Sequence, residues 1–462
     1  MENYGSQPEW VQHGFFYHLY PLGACGYFSE TLKIQIADLK QYIPRWKSLG
    51  INVVYLGPVF SSENHGYDSI DYYTVDDRLG NTSQLKLFVQ ELRKNNIRVV
   101  FEAVFNHVGR EFPFFKDLQV KKEKSAYANW FSGINFNEDS PYNDGFSYES
   151  WEGHFNLVKL NLDNPEVTTY LFDVILYWVK EFDIDGLRLD AADQLSFAFL
   201  KQLRKFTDSL DKPLWLLGEL LHGDYNQWVN DSMMHACTNY EMYKGLYSSH
   251  NDKNLYELAH SLSRQFGTGG IYGDKLLYNF IDNHDVERIA SILKDESDLY
   301  PLHILLMTIP GIPSIYYESE YGVYGEKGIR NDADLRPKIG EKKRNHPDLS
   351  QVISKLSKIR LNPALKRGDY HICFLGHEQL AFYRQYGNHE ALIIVNLSST
   401  ATTIDITNSG PYDSEKNEIH SQLMGTWTDE LNSNETVHFT PQSTWVHLHP
   451  KWGRIFVRRN TI

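Results

Sequence analysis

At 462 residues, 42% of them hydrophobic, the chain is too long for one ordinary small domain, whereas a barrel of about 250 residues or more with an appended module fits. A formal net charge of −14 argues against a nucleic-acid surface or an anionic membrane as partner and is compatible with neutral substrates. Cys25, Cys237 and Cys373 are odd in number and widely spaced, which argues against a disulfide framework and for a reducing compartment, the cytoplasm.

Met1 to Trp10 has neither the basic start nor the apolar core of a signal peptide. From Phe15 to about Gly340, short apolar runs then alternate with longer helical patterns. The expected strands are Phe16 to Leu22, Val53 to Leu56, Val99 to Val104, Gly186 to Asp190, Leu214 to Gly218, His235 to Asn239, Leu276 to Ile281 and Ser314 to Tyr317. Eight strands with helices between them predict a parallel sheet closed into a (β/α)8 TIM barrel.

Two helices show the pattern. Leu32, Ile36, Leu39, Ile43 and Trp46 fall at spacings of three and four before Gly50, an apolar stripe with a terminating glycine. Asn164 is expected at an N-cap and Pro165 at the first helical position, followed by a stripe of Val167, Leu171, Val174, Trp178 and Phe182. Between His107 and Asn164 the regularity breaks. Phe112 to Trp151 is rich in aromatic and turn residues, and a loop that long reads as a small excursion domain over the barrel mouth. Its aromatics fit either a miniature core or sugar contact.

Leu299 to Tyr317, the most apolar long segment, is interrupted by Pro301, Pro310 and Pro313, so it reads as a buried helix and a strand rather than a membrane span. After the helix around Val352 to Ile359, alternating runs at Leu380 to Arg384, Ala391 to Asn396 and Thr444 to His449 predict an antiparallel β-module. The expected division is 1–108 and 164–362 for the barrel, 109–163 for the insertion after strand three, and 363–462 for a C-terminal β-sandwich.

Barrels of this kind carry their chemistry on the loops that follow the strands. Strand three ends in Glu102, Asn106 and His107, strand four in Arg188 and Asp190, strand five in Glu219, and strand seven in His284 and Asp285. Three carboxylates converging from three strands repel one another, yet they supply what glycoside hydrolysis needs: a nucleophile, a proton donor, and negative charge beside an oxocarbenium-like transition state. Arg188 is expected to keep Asp190 ionised, and Glu219 to be the carboxyl with the raised pKa.

In that order, Phe101 to His107 (FEAVFNH), Gly186 to Asp190 (GLRLD), Gly218 to Glu219 and Asn283 to Asp285 (NHD) resemble the four sequence signatures of the α-amylase family, glycoside hydrolase family 13. Further matches are His65 to Asp68 (HGYD), Leu157 to Asn161 (LVKLN) and Asn331 to Arg336 (NDADLR). The resemblance implies α-retaining chemistry with Asp190 as nucleophile, Glu219 as acid/base and Asp285 as the residue that binds and distorts the sugar. It also implies that His107, His284 and Arg188 hold hydroxyls and the nucleophile, that Tyr67 stacks on that ring, and that Asp332 and Arg336 contact the adjoining sugars. LVKLN resembles the neopullulanase and cyclomaltodextrinase branch, whose members act on α-1,4 and sometimes α-1,6 links of short or cyclic maltodextrins. Two departures stand out: no room precedes strand one for that branch's N-terminal β-domain, and Glu102 replaces the family aspartate. Asn106 matches a family calcium ligand, but Gln194 stands where calcium-binding members often have histidine, so no metal is expected. No organic cofactor is expected either, since no nucleotide-binding glycine loop is present.

The expected function is therefore cleavage of α-glucosidic bonds in short, branched or cyclic malto-oligosaccharides. The alternatives are a transglucosidase on the same substrates, or a non-catalytic relative that binds carbohydrate or serves as a protein partner.

Overall fold

The computed structural model describes residues 7–328, 332–407 and 416–459. Residues 1–6, part of the stretch read for a signal peptide, and Asn331, first residue of the NDADLR match, lie outside them.

Eight parallel strands form the barrel: β1 (Phe16–Leu19), β2 (Val53–Leu56), β3 (Arg98–Ala103), β4 (Gly186–Leu189), β5 (Trp215–Gly218), β6 (Ala236–Cys237), β7 (Tyr278–Asn279) and β8 (Ile312–Tyr316). They hydrogen-bond in the order β6-β5-β4-β3-β2-β1-β8-β7, and a parallel bridge between Thr238 and Tyr278 joins the two ends. Alternation assigns each side chain to one layer. Phe16, Val53, Tyr55, Val100, Trp215, Leu217, Tyr278 and Ile312 fill the barrel interior, while Tyr17, Leu19, Val54, Leu56, Val99, Phe101, Leu216 and Ile315 join the larger core under the helices.

Several boundaries differ from the sequence reading. β1 stops at Leu19 because Pro21 opens a short helix, Pro21–Ala24. β6 and β7 are two residues long. The first is cut short by Asn239, whose side chain accepts from the Met242 amide and starts the helix Tyr240–Asn251. The stripe before Gly50 is not one helix either. A 3-10 turn, Ile36–Tyr42, leads into a helix, Ile43–Leu49, that has Pro44 in its first turn, and Leu32 lies outside both, 85% exposed. Gly50 does end it, at φ 90°.

The helix Pro165–Phe182 follows expectation: Asn164 accepts from the Glu166 amide, and Val167, Leu171, Val174, Trp178 and Phe182 are buried. So does the apolar segment, which forms the helix Leu299–Thr308 and then β8. No helix among the described residues is long and apolar enough to cross a membrane. Cys25, Cys237 and Cys373 are buried free thiols.

After β3 the chain leaves the barrel. His107–Gly109 pairs antiparallel with His154–Lys159, which pairs in turn with Ser150–Trp151. Phe112, Phe115, Phe131, Phe146 and Tyr148 are buried, so most of the aromatic surplus here is a local core.

The C-terminal module contains β9 (His371–Leu375), β10 (Gln379–Tyr386), β11 (His389–Asn396), β12 (Thr402–Asp405), β13 (Gly425–Asp429), β14 (Glu435–Phe439), β15 (Trp445–Leu448) and β16 (Trp452–Arg459). An antiparallel sheet of order β9-β10-β11-β16-β13-β14 and the pair β12-β15 enclose a core containing Ile394, Ile404, Trp427, Val446 and Phe456. Between β15 and β16, Lys451 reaches back to the barrel. Its Nζ lies 2.6 Å from Asp295 and 2.8 Å from Asp298, just before the helix Leu299–Thr308.

Candidate active site

The barrel delivers the expected groups to one end. Glu102 and Arg188 lie within β3 and β4, Asp190 and Glu219 stand one residue past β4 and β5, and His284 and Asp285 follow β7. Arg188 is buried at the centre and binds three carboxylates. Its Nη1 is 2.7 Å from Glu102 Oε1 and 2.9 Å from Asp190 Oδ1, and its Nη2 is 2.7 Å from Glu219 Oε1. The sequence reading paired this arginine with Asp190 and did not foresee that it also binds Glu219.

That sharing changes the electrostatics. Burial pushes the Asp190 carboxyl well above its ordinary range; Arg188 opposes the shift, and Glu219, Glu102 and Asp285 add to it. The expectation that Arg188 simply keeps Asp190 ionised is corrected here, because one guanidinium divided among three acids does not offset their mutual repulsion in a site that excludes water. Glu102 is also raised, chiefly by burial and against the pull of Arg188. Asp285 behaves oppositely. Despite the cost of burial, His284 and then Arg336 hold it well below the usual carboxylate range, with His284 Nε2 at 2.9 Å and Arg336 Nη2 at 3.3 Å.

The glutamate in place of the family aspartate keeps its bond to Arg188. Its second oxygen accepts from the hydroxyls of Tyr55 and, at 3.2 Å, Tyr67. Tyr67 also hydrogen-bonds His284 Nε2. His107 is buried and pushed down to about 3 by that burial, so it is neutral. Its Nε2 lies 4.0 Å from Asp190 Oδ2 and has no hydrogen-bond partner. Arg336 is drawn inward: Nε donates to the His284 carbonyl at 3.1 Å, and Nη2 approaches Asp332 at 3.5 Å.

Immediately after Asp190 the backbone turns left-handed at Ala191, φ 43°, an unusual conformation for a residue with a side chain. The turn aims the Ala191 amide at Glu219 Oε2, 3.3 Å away, so one bend holds the two acids relative to each other.

Four tyrosine and histidine side chains escaped the sequence reading. Tyr20, just beyond β1, stacks on His284 with ring centroids 5.7 Å apart and lies under the Arg336 guanidinium. The Tyr240 hydroxyl takes a hydrogen bond from Asn283 Nδ2 at 3.0 Å and lies 3.4 Å from Glu219 Oε1. Tyr55 supports Glu102 and stacks on His18 at 4.2 Å. A cavity of about 10 Å³ lies beneath, lined by His18, Tyr55, Arg188, Tyr278, Asn283 and His284, about the size of one water.

Fold and site together define a barrel of the glycoside-hydrolase type, with a carboxylate trio gathered at its strand ends. The chain belongs to the α-amylase family: the family described as alpha amylase, catalytic domain, matches residues 34–358. It is 29% identical over 380 residues to an intracellular maltogenic amylase of Bacillus subtilis, covering 76% of this chain and 62% of that protein. It is 30% identical over 371 residues to a cyclomaltodextrinase of Thermoanaerobacter pseudethanolicus, covering 78% and 62%. The chain thus spans about three fifths of the length of these relatives. Among solved structures it is similar to a debranching enzyme from Nostoc punctiforme, with 28% identity, a TM-score of 0.79, and coverage of 97% of this chain and 99% of that one.

Proposed function

We propose that the chain is an α-retaining glycoside hydrolase acting on α-glucosidic bonds of short, branched or cyclic malto-oligosaccharides. The observation that carries this reading is the arrangement of Asp190 and Glu219 on one arginine, with Asp285 held by His284 and Arg336.

Asp190 is the nucleophile. Its Oδ1 is occupied by Arg188, so Oδ2, on the His107 side, attacks the anomeric carbon. Glu219 gives its proton to the glycosidic oxygen as that bond breaks, leaving the sugar esterified to Asp190. A water then gives its proton to Glu219 and attacks the anomeric carbon, releasing Asp190. Burial and the neighbouring acids raise the Asp190 carboxyl against the pull of Arg188, and attack uses its ionised form. Asp285, kept ionised by His284 and Arg336, accepts hydrogen bonds from sugar hydroxyls, and the free Nε2 of His107 supplies another contact.

The chemistry requires no organic cofactor. Asn106 Oδ1 is buried without a hydrogen-bond partner, and no group of three or more His, Cys, Asp or Glu side chains placed to hold a metal ion occurs among the described residues. The reduced thiols suit a cytoplasmic enzyme.

The decisive test is Glu219→Gln. Loss of turnover on maltotriose and β-cyclodextrin with the fold intact supports the assignment, and wild-type rates overturn it. Chromatography of products from maltodextrins, cyclodextrins, pullulan and panose then fixes the linkage.

A further inference from the structure

Arg336 follows the 3-10 turn Ala333–Leu335, outside the eight strands, yet its guanidinium meets both the Asp285 carboxylate and the His284 carbonyl. A side chain on a loop keeps such contacts only where the backbone beneath it is held. Here it is held on both sides. Arg288 Nε and Nη2 donate to the Leu335 carbonyl at 3.2 and 2.9 Å, and the Tyr317 hydroxyl donates to the Pro337 carbonyl at 2.7 Å. On a third side lies Gly23, where a Cβ would come within 2.5 Å of the Arg336 carbonyl oxygen.

Arg288 is the joint of this arrangement. It is fully buried and lies three residues past Asp285. Its Nη1 donates to the Tyr317 carbonyl at 2.5 Å and to Ser319 Oγ at 3.1 Å, both just beyond β8, and its guanidinium lies over the Tyr316 ring at 4.1 Å. Asp282 braces the same place, accepting from Ser319 Oγ at 2.7 Å and from the Ile289 amide at 3.0 Å. One side chain thus ties together the chain that carries Asp285, the turn after β8, and the chain that carries Arg336. Its hydrogen-bond partners are neutral. A guanidinium taken wholly out of water to grip carbonyls is costly unless each donor is met, so the geometry of this joint is closely set.

We propose that Arg288 is a positioning residue for the reaction: by gripping the Leu335 carbonyl, it sets the Arg336 guanidinium against Asp285. The role rests on the glycosidase reading above and deepens it, naming what fixes one of the contacts that hold the sugar-binding acid. Being fully buried, Arg288 acts through Arg336 and not on the sugar.

The test measures maltotriose hydrolysis for Arg288→Lys and Ser319→Ala, each alone and combined with Arg336→Ala. Lysine keeps the charge but loses the fork. Arg288→Lys lowers kcat about tenfold and moves the acid limb of the pH–rate profile upward, the direction set by weakening the contact between Arg336 and Asp285. His284, Arg188 and Lys327, whose Nζ donates to the Asp285 carbonyl at 3.1 Å, also face Asp285, but none is hydrogen-bonded to Arg288 among the described residues. Ser319→Ala, which frees one side of the guanidinium, lowers kcat about threefold. In the Arg336→Ala background each substitution costs less than about twofold more, because the group to be positioned is gone. Losses that persist undiminished in that background, or an unmoved acid limb, overturn the proposal, since Arg288 then only supports the fold. Should circular dichroism show Arg288→Lys unfolded, the Ser319→Ala cycle decides: no loss in the wild type, or an equal loss in both backgrounds, overturns it. A wild-type protein that releases no product from maltotriose or β-cyclodextrin overturns the glycosidase reading and this role with it, an outcome distinct from an active enzyme with additive losses.

Discussion

Glu102 and Arg188 stand opposite each other on neighbouring strands, register partners in β3 and β4, and this pairing fixes the hub from which the other acids are held. Because strand neighbours are spaced by backbone hydrogen bonds, the arginine is positioned by the sheet itself rather than by a loop. The longer side chain at 102 is accommodated by Tyr55 and Tyr67, whose hydroxyls meet its outer oxygen.

Removing Glu102 takes one of the arginine's three anions and leaves two tyrosine hydroxyls without an acceptor. Glu102→Ala is expected to lower stability by about 3 kcal/mol in urea unfolding, with a fall in kcat of about 100-fold. Glu102→Asp, which restores the charge, recovers most of the activity. An alanine variant with unchanged stability would contradict the hub role.

The raised carboxyl of Asp190 implies a stability cost with a definite pH sign. The folded state binds this proton more tightly than the unfolded chain, so the cost is absent below the unfolded value of about 4 and grows as pH rises toward the folded value. Asp190→Asn is therefore expected to be inactive yet more heat-stable than the wild type at pH 8, with the gain vanishing near pH 4. Calorimetric scans at the two pH values check it; a gain that is larger at pH 4 would reverse the sign.

Arg336 acts on Asp285 from one side and on the His284 backbone from the other. Arg336→Lys loses the fork that makes both contacts. The expected result is a kcat lowered by about 10- to 100-fold, with the acid limb of the pH–rate profile moved upward as Asp285 loses the guanidinium contact that helps hold it low. A profile that does not move would mean that His284 alone sets the Asp285 carboxyl.

At the start of the helix Pro165–Phe182, Asn164→Ala removes the side-chain acceptor for the Glu166 amide. Urea unfolding should show a loss of about 1 kcal/mol with kinetics unchanged.

The barrel was legible because alternation of short apolar runs with amphipathic helices is a long-range pattern that survives local errors. The acids were legible for a related reason: a polar residue directly after an apolar run has one place to go, the barrel mouth. What stayed hidden depended on exact ends. Extending β1 to Leu22 swallowed Tyr20, and the two-residue β6 gave no firm end from which to find Tyr240. Tyr55 lies inside β2, where an aromatic residue reads as core and its hydroxyl shows no sign of the glutamate it meets. The division of Arg188 among three anions could not be read from spacing, since two of those anions are separated from it by long stretches of chain. Leu32 failed for the opposite reason, matching a periodicity that Pro44 and the 3-10 turn interrupt.

Lys451 gives the C-terminal module a role in how this protein can be taken apart. Asp298 is 1% exposed, and its carboxylate is shared between Lys451 and Lys253. A chain shortened before β9 would strip one cation from an acid already out of water and uncover the flank of the helix that precedes β8. The β-module is thus a clasp rather than a passenger, supplying from outside the barrel one of the two lysines that hold Asp298.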